Sequence, residues 1–347
     1  MELKKLYSDD ISFLTAFGES RIGGRAENQD SYGWSMTPFG YLVTVCDGMG
    51  GGPGGKTAST IAVKEILGAV VNANKEQKAT NVVIQAIRKA NMAIIEAGND
   101  NSQLKGMGST ATVLLISEKS AIVAHVGDSR VYQLRSGKKV FRTFDHSMVF
   151  EMVKQGVITE EQARLSSQSN VITRALGIKP DLEVEVHEVP YVKGDRFALC
   201  SDGIHGELSD KKLVKLFANR KRTLGSTVDD IATLVDNTGR SNGGGHDNLT
   251  LAMVEMNTNS KLKTKMTKQV KFTMVLLTVV CAVSIAFNIS QAVGKTSPDT
   301  ASLQDSIEAK DTKIHELDSI NKAQLNKLKR ADSIINKSNM HKPSVIN

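Results

Sequence analysis

The chain has 347 residues and a formal net charge of +7, from 44 Lys+Arg against 37 Asp+Glu. Residues 1–258 contain 30 basic and 30 acidic side chains, so the whole basic excess lies in the remainder of the chain. A domain that binds nucleic acid would carry its own basic excess, so this balance argues against a nucleic-acid partner for residues 1–258. The three cysteines are widely spaced, which predicts buried thiols rather than disulfides.

The first hundred residues show the spacing of two strands followed by two helices. Residues 41–45 are an apolar run before a glycine-rich loop over residues 48–55. Residues 58–71 and 81–97 then repeat apolar side chains at helical intervals. This pattern predicts two amphipathic helices.

After residue 108 the apolar period changes from that of a helix to that of strands. Short apolar runs divided by turn residues predict a meander of three strands, followed by helical and irregular spacing over residues 147–178. Two later strands flank a helical stretch near residues 209–237. The predicted strands cover residues 110–117, 120–127, 130–135, 196–200 and 249–256. The order of the elements predicts an α+β fold in which helices cover two antiparallel β-sheets.

Four aspartates lie where plausible strands end. They are Asp30, Asp47, Asp202 and Asp247. Strand ends on a rigid scaffold bring carboxylates from distant parts of a chain to one point. Hard oxygen donors without a His or Cys cluster suit Mg²⁺ or Mn²⁺ better than Zn²⁺. The sequence therefore predicts a divalent-metal site, and the chemistry most natural to such a site is phosphoester hydrolysis.

Seven short motifs follow one another in a fixed order between about residues 8 and 258. They are Arg25-Ala26-Glu27-Asn28-Gln29-Asp30, Val45-Cys46-Asp47-Gly48-Met49-Gly50-Gly51, Gly108-Ser109-Thr110-Ala111, Gly127-Asp128-Ser129-Arg130, Asp145-His146, Ser201-Asp202-Gly203 and Asp247-Asn248-Leu249-Thr250. This order resembles the metal-dependent protein serine/threonine phosphatases of the type 2C class. The resemblance implies two antiparallel sheets between helices, and hydrolysis of phosphoserine and phosphothreonine by a water activated at a dinuclear Mg/Mn centre. A weak or inactive phosphatase-like signalling or receptor module is the alternative.

The resemblance also implies a ligand set for the metal ions. Asp47 corresponds to the carboxylate that bridges two ions, and Gly48 to the residue that offers its carbonyl oxygen. Asp202 and Asp247 correspond to ligands of the first ion. Asp30 follows the second-metal region of the family, although Gln29, beside it, stands where many members have Glu.

Further residues match or depart from the family pattern. Arg25 matches the arginine that binds the substrate phosphate, a role that suits the planar guanidinium. Asp128 corresponds to a ligand of a third, weaker ion shared with Asp202, and a structural turn carboxylate is the alternative for it. Met49 stands where some members have a His that protonates the leaving group, and a thioether cannot do this. His146 is expected to be structural.

The segment over residues 147–180 occupies the place of the family's mobile flap beside the site. Because metal ions recognise only a phosphate, this flap is expected to shape the choice of protein substrate. The implied partners are phosphorylated proteins, and a cognate Ser/Thr kinase is a further candidate.

The residues after 258 predict a membrane anchor. Residues 259–271 form a basic juxtamembrane linker with five lysines, and no charged side chain occurs over residues 272–294. A transmembrane helix over residues 272–290 is long enough to span a bilayer, and the lysines predict a cytoplasmic catalytic domain over residues 1–258. This places a single-pass protein in the plasma or inner membrane.

The tail over residues 291–347 is then expected on the outer side of the membrane. Its apolar residues recur every seventh position, with one polar exception: Ile307, Ile314, Asn321, Leu328 and Ile335. A parallel coiled coil in which Asn321 sets the register is one interpretation, and it would let the tail self-associate. A solvated helix is the other.

Overall fold

Two antiparallel β-sheets packed face to face form the centre of the fold, and helices cover both outer faces. The computed structural model describes residues 4–5, 13–50 and 53–261, together with residues 310 and 313. The strands are β1 (Lys4–Lys5), β2 (Leu14–Arg21), β3 (Ser31–Thr37), β4 (Gly40–Cys46), β5 (Gly48–Met49), β6 (Gly108–Ser109), β7 (Ala111–Ile116), β8 (Ala121–Val126), β9 (Arg130–Arg135), β10 (Lys138–Arg142), β11 (Glu185–Val189), β12 (Arg196–Cys200) and β13 (Leu249–Met256).

The helices pack on the outer faces of the two sheets. They are α1 (Pro53–Val71), α2 (Ala79–Asp100), α3 (Met148–Lys154), α4 (Glu160–Arg164), α5 (Asp202–His205), α6 (Asp210–Phe217) and α7 (Leu224–Ser241), with a 3₁₀ turn over Ser102–Leu104. Strands β11-β8-β7-β4-β3 form a five-stranded sheet beneath α1 and α2. Strands β1-β2-β13-β12-β9-β10 form a six-stranded sheet beneath α6 and α7. The predicted α+β class with two antiparallel sheets is confirmed.

The central strands read as continuous apolar runs because both of their faces are buried. In β7, Leu114 and Ile116 face the other sheet, while Val113 and Leu115 face α1 and α2. Side chains alternate between the two faces of a strand, so a strand covered on both sides needs apolar residues at every position. The same rule applies to β4, β8, β12 and β13, which were predicted from such runs.

The helices bury one face each, as their spacing predicts. In α2 the buried positions include Val83, Ile87, Ala90 and Ile94, which share one side of a helix. The predicted helical stretch near residues 209–237 is two helices, because the polar run Asn219-Arg220-Lys221-Arg222 interrupts it. The Thr223 hydroxyl accepts a hydrogen bond from the Ser226 N–H and so caps the start of α7.

The predicted meander over residues 110–135 was wrong in its third strand. Strands β7 and β8 pair with each other, but β9 crosses to the six-stranded sheet and pairs with β10 and β12. The spacing of apolar residues and the turn residues cannot reveal such a crossing. Consecutive strands of a sandwich have the same sequence pattern whether they join one sheet or two. Sequence reasoning also missed β10 and β11, whose charged side chains dilute the apolar pattern.

The predicted transmembrane helix over residues 272–290 lies outside the described residues, as do the juxtamembrane run over 262–271 and most of the tail. Lys310 and Lys313, within the tail, are helical. Among the residues that the structure describes, no helix combines the length and the apolar character that a membrane span needs.

Candidate metal centre

The structure brings the predicted aspartates together at the ends of strands from both sheets. Asp30 precedes β3, Asp47 follows β4, Asp202 begins α5 directly after β12, and Asp247 precedes β13. Each of the first three carboxyl groups has its pKa raised by the charge of at least one other aspartate in this group. Residues separated by more than two hundred positions therefore form one electrostatic cluster.

Asp47 lies at the centre of this cluster. Its N–H donates to the Thr110 hydroxyl at 2.9 Å, and its carbonyl oxygen accepts from the Thr110 N–H at 2.8 Å. Burial raises the pKa of the Asp47 carboxyl well above its usual value, and the charges of Asp30, Asp202 and Asp128 raise it further. The backbone of Asp47 is thus fixed while its carboxyl meets three like charges.

Asp30 divides its two carboxyl oxygens between the scaffold and the centre. Its Oδ2 accepts hydrogen bonds from the Ser201 and Thr250 hydroxyls, each at 2.7 Å. Its Oδ1 is buried and has no partner among the described residues. Burial raises the pKa of Asp30 to about 7, the two hydroxyl hydrogen bonds lower it, and the charges of Asp202 and Asp247 raise it again.

Asp202 shows the same signature of buried negative charge. Burial raises the pKa of its carboxyl to about 6, and the charge of Asp247 adds to this, while a hydrogen bond with Asp47 lowers it. Its Oδ1 is also buried without a partner in the described part of the chain. Leaving such oxygens unpaired costs free energy unless a cation or an ordered water takes up the contact.

Two glycines let the backbone close around the cluster. A Cβ atom on Gly48 would lie 1.9 Å from the Gly55 carbonyl oxygen, and one on Gly203 would lie 1.9 Å from the Asn248 carbonyl oxygen. Any side chain at either position would collide with backbone rather than with a movable side chain. The glycines that follow Asp47 and Asp202 are therefore required by the close approach of the backbone at the start of α1 and just before β13.

Arg25 reaches the cluster from the loop between β2 and β3. Its Nη2 donates to Asp247 Oδ2 at 2.8 Å, and the guanidinium remains about half exposed. Asn248 holds this loop in place, because its side-chain amide donates to the Glu27 carbonyl oxygen at 2.9 Å and accepts from the Gln29 N–H at 2.8 Å. A guanidinium has five N–H donors, so Arg25 keeps donors for a ligand.

Asp128 lies near Asp202 and next to a buried ion pair. Burial raises the pKa of Asp128 well above its usual value, and the charges of Asp202 and Asp145 add to this. Arg130 donates two hydrogen bonds of 2.7 Å to Asp145. The adjoining cavity of about 50 Å³ is lined in part by Asp128, Asp202, Arg130, Asp145, Ser169 and Asn170.

The segment over residues 147–180, predicted as a flap, lines this cavity, and two arginine contacts hold its helix α4. Arg142 is buried and donates to Glu160 of α4 at 2.6 Å. Arg164, at the end of α4, donates to the carbonyl oxygen of Gly206, next to α5, at 2.8 Å. The second contact links the flap directly to the helix that begins with Asp202.

These residues fit a pair of divalent cations. All side-chain donors are carboxylate oxygens, which Mg²⁺ and Mn²⁺ prefer, and two of the oxygens are buried without partners. No three of the aspartates bring carboxyl oxygens within 4.8 Å of one another in the described residues. The carboxyl groups are therefore spread around the cluster rather than gathered on one point. Asp47 has the central position that a shared ligand requires.

A second cluster of ligand-type side chains does not fit a metal ion. Donor atoms of His125, His146 and Glu185 all lie within 4.8 Å of one another. The two imidazoles are stacked, with centroids 4.5 Å apart and planes inclined by 21°, so their ring planes do not converge on one ion. The Gly127 N–H donates to His146 Nδ1, which leaves the proton on Nε2, facing Glu185 at 3.3 Å. His146 is buried among these partners, and its structural role stays a prediction.

Several residues that support the centre escaped sequence analysis. The hydroxyls of Ser201 and Thr250 hold Asp30, and the Asn248 amide holds the loop of Arg25. Each lies within three positions of a predicted ligand, and that adjacency is the only signal the sequence offers for them. Arg164 and its contact with Gly206 carried no signal, because it joins residues 42 positions apart.

Known proteins resemble the chain over this same region. The family model described as protein phosphatase 2C matches residues 17–236. The serine/threonine phosphatase stp of Listeria innocua is 31% identical over 242 residues, which cover 69% of this chain and 90% of that protein. Protein phosphatase PhpP of Streptococcus pneumoniae is 34% identical over 265 residues, which cover 72% of this chain and 98% of that protein.

Solved structures share the fold. The serine/threonine phosphatase PstP/Ppp of Mycobacterium tuberculosis superposes with a TM-score of 0.61 at 28% identity, covering 71% of this chain and 99% of that one. The catalytic domain of PstP in complex with two manganese ions superposes with a TM-score of 0.59 at 28% identity, covering 70% and 98%.

Stability should depend on metal more strongly at higher pH. The folded pKa values of Asp30 and Asp202 are about 7 and about 6, against 3.8 for an ordinary aspartate. A raised folded pKa contributes stability that is fully present below the unfolded pKa and is lost as the pH rises through the folded pKa. With EDTA, we expect the thermal midpoint at pH 8 to fall at least about 5 °C below that at pH 5.5, and Mn²⁺ to restore it.

Differential scanning calorimetry measures these midpoints. The control is Asp202→Asn, which removes one of the interacting charges and should flatten the pH dependence of the metal-free chain. Equal midpoints with EDTA and with Mn²⁺ at pH 8 would contradict the assignment of a cation to this cluster.

Asp145 should matter for stability through Arg130. Burial alone would raise the pKa of Asp145, but the charge and hydrogen bonds of Arg130 hold it below its usual value. Asp145→Ala leaves the guanidinium buried and unpaired, which should cost about 3–5 kcal/mol in urea unfolding with saturating Mn²⁺. The matched control is Asp229→Ala, whose partner is Arg21 and whose side chain is 54% exposed. It should cost less than about 1 kcal/mol, and equal costs would refute the buried-pair argument.

Proposed function

The chain belongs to the protein phosphatase 2C family and is a Mn²⁺- or Mg²⁺-dependent protein serine/threonine phosphatase, and we propose that its aspartate cluster is the catalytic centre. The observation that carries the proposal is the set of buried carboxyls around Asp47, whose mutual repulsion is offset only in part by the nearby Arg25 and Arg130. The family's order of motifs supports the proposal, because the aspartates of those motifs are the ones that form the cluster.

The proposed ligand roles are those that the family resemblance implies, and the cluster is consistent with them. Asp47 would be the carboxylate common to two ions, and the Gly48 carbonyl oxygen would serve the second ion. Asp202 and Asp247 would serve the first ion, and the charge of Asp247 acts on the Asp202 carboxyl. Asp30 uses Oδ1, since Oδ2 is already held by two hydroxyls.

Asp128 has a distinct proposed role. It is buried beside Asp202 and faces the cavity beneath the flap rather than Arg25. A third, weaker ion shared with Asp202 would lie there. Asp145 is not available as a ligand, because both of its oxygens accept from Arg130.

When bound, the ions supply Lewis-acid chemistry: they polarise the phosphate and make water a stronger acid, so that water attacks phosphorus at neutral pH. The protein's own part is orientation. Arg25 binds the phosphate with the guanidinium donors that Asp247 does not occupy. Met49 offers no proton to the departing serine or threonine alkoxide, so that proton comes from solvent water.

The substrates are phosphorylated proteins, and we propose that the flap selects among them. The flap carries exposed apolar side chains, including Val157, Leu165 and Val171. A cognate Ser/Thr kinase that produces the same phosphoproteins is the natural partner of such an enzyme. The balanced charge of residues 1–258 argues against a nucleic acid as a ligand of this domain.

We also propose that the enzyme is anchored in a membrane by residues 272–290. The support is the sequence: five lysines over residues 261–271 precede an uncharged run long enough to span a bilayer. The catalytic domain then faces the cytoplasm, and the tail over residues 291–347 lies on the other side.

Activity should require the shared carboxylate. Asp47→Asn removes the charge that two ions share, so hydrolysis of a phosphothreonine peptide should fall at least about a thousandfold at saturating Mn²⁺. Arg25→Ala should instead raise KM for the peptide while Mn²⁺ binding, measured by calorimetry, stays near the wild-type value.

The alternative of an inactive signalling module gives a different result. In that case the full-length chain binds Mn²⁺ and leaves both the phosphopeptide and p-nitrophenyl phosphate intact. Turnover that EDTA abolishes and Mn²⁺ restores supports the enzyme. The Arg25 and Asp47 variants then separate binding of the phosphate from binding of the ions.

The proposed topology predicts the pattern of proteolysis in spheroplasts. A protease added outside should shorten the chain to a fragment that ends after about residue 290 and retains full phosphatase activity. Loss of the catalytic domain with the tail preserved would reverse the orientation. A chain released intact by salt washing would refute the anchor.

A further inference from the structure

The outer edge of β3 differs from the other three sheet edges. The six-stranded sheet ends at β1 and β10, and the five-stranded sheet ends at β11 and β3. An edge strand presents unpaired backbone N–H and C=O groups to any extended chain nearby, and proteins protect such edges with charges, prolines or bulges. In the described residues, no further strand pairs with β3 beyond β4.

Three of the four edges are protected in the usual way. Strand β1 consists of two lysines, and β11 carries two glutamates and a histidine. Strand β10 begins with two lysines and has an irregular register with β9. Strand β3, Ser31-Tyr32-Gly33-Trp34-Ser35-Met36-Thr37, has no charged residue, no proline and a regular register with β4 throughout.

The side chains of β3 make this edge apolar as well as uncharged. Trp34 is 37% exposed and Met36 is 49% exposed, although both are large apolar residues. The Trp34 ring stacks on that of Tyr32, with centroids 5.9 Å apart, so the exposed indole is held in place. On the other face, α1 covers Gly33 through Val63 and Leu67. The edge of β3 is therefore held in place by its neighbours, while no other strand of the described residues covers it.

We propose that β3 pairs antiparallel with β3 of a second copy of this chain, so that the two five-stranded sheets join into one continuous sheet. The strand has seven residues and Trp34 is its centre. A two-fold axis at Trp34 sets Trp34 opposite Trp34 of the second copy and Tyr32 opposite Met36. On the other face it sets Gly33 opposite Ser35 and Ser31 opposite Thr37.

The second copy is favoured over other occupants because the strand complements itself. Aromatic and methionine side chains meet on one face, and small side chains meet on the face next to α1, where the two copies of that helix need space. No like charges oppose one another, whereas self-pairing of β1 or β10 would oppose lysines. An isologous contact of this kind closes after two subunits and leaves no open edge on β3.

The pairing does not depend on the phosphatase chemistry. Trp34 and Met36 belong to none of the catalytic positions, and Ser31 marks the nearest approach of the strand to Asp30. Variants at Trp34 therefore test association, while phosphatase turnover reports separately that the catalytic domain is folded.

Sedimentation of the full-length chain in detergent, over a range of concentrations, measures the association. Trp34→Lys places two like charges at the two-fold axis and should raise the dimer dissociation constant at least about tenfold, whereas Trp34→Phe should stay near wild type. Val140→Lys is the matched control, because Val140 is 49% exposed on the edge strand β10. Phosphatase turnover should be unchanged in all three variants.

Hydrogen exchange at the amides of residues 32–36 identifies the occupant, since the tail could hold two copies together by itself. Protection that rises with chain concentration and disappears in Trp34→Lys supports β3 pairing. Protection independent of concentration means that another part of the same chain covers the edge, and protection that needs a phosphopeptide means that substrate docks there. Either result overturns the proposal, as does protection of residues 32–36 that Trp34→Lys leaves unchanged.

Discussion

The repulsion among buried carboxyls is the constraint on which the centre of this structure depends. Asp30, Asp47, Asp128 and Asp202 are held together away from water, and the pKa of each is raised by burial and by the charge of at least one other aspartate. A fold that brings like charges together must neutralise them by protons or by cations. At neutral pH cations do so with less loss of stability, because carboxylates bind them without first taking up protons. The same feature that destabilises the empty centre therefore gives it affinity for divalent ions.

The two packed sheets hold the carboxyls together against this repulsion. Strands from both sheets end at the cluster, and their backbones are fixed elsewhere in the fold. Asp47 is held by Thr110, which lies between β6 and β7, and Asp30 is held by the hydroxyls of Ser201, just after β12, and Thr250 in β13. Each of these contacts joins distant parts of the chain. The three cores above, between and below the sheets supply the apolar burial that offsets the repulsion.

Sequence reasoning identified the clustered aspartates and the buried strands for the same physical reason. A strand covered on both faces is apolar at every position, so a carboxylate at its end stands out. Sequence reasoning failed where an element lacks a distinctive residue pattern or where a contact joins residues far apart in the chain. β10 and β11 are half exposed and charged, and the passage of β9 to the other sheet leaves no mark on its residues. The contact of Arg164 with Gly206 depends on the fold of the flap, which no local pattern encodes.

Charged side chains have different effects at the aspartate cluster and at the sheet edges, and this difference affects which edge can pair with a second copy. At the centre, like charges are concentrated so that ions bind; at β1, β10 and β11, charges are spread along the edges, where they keep other strands away. β3 lies beside Asp30 and follows neither pattern. Its first residue, Ser31, accepts a hydrogen bond from Lys56, which also holds the Asp30 carbonyl oxygen at 2.8 Å. An uncharged edge anchored to the catalytic loop lets a second copy bind close to the active site without adding charge to it.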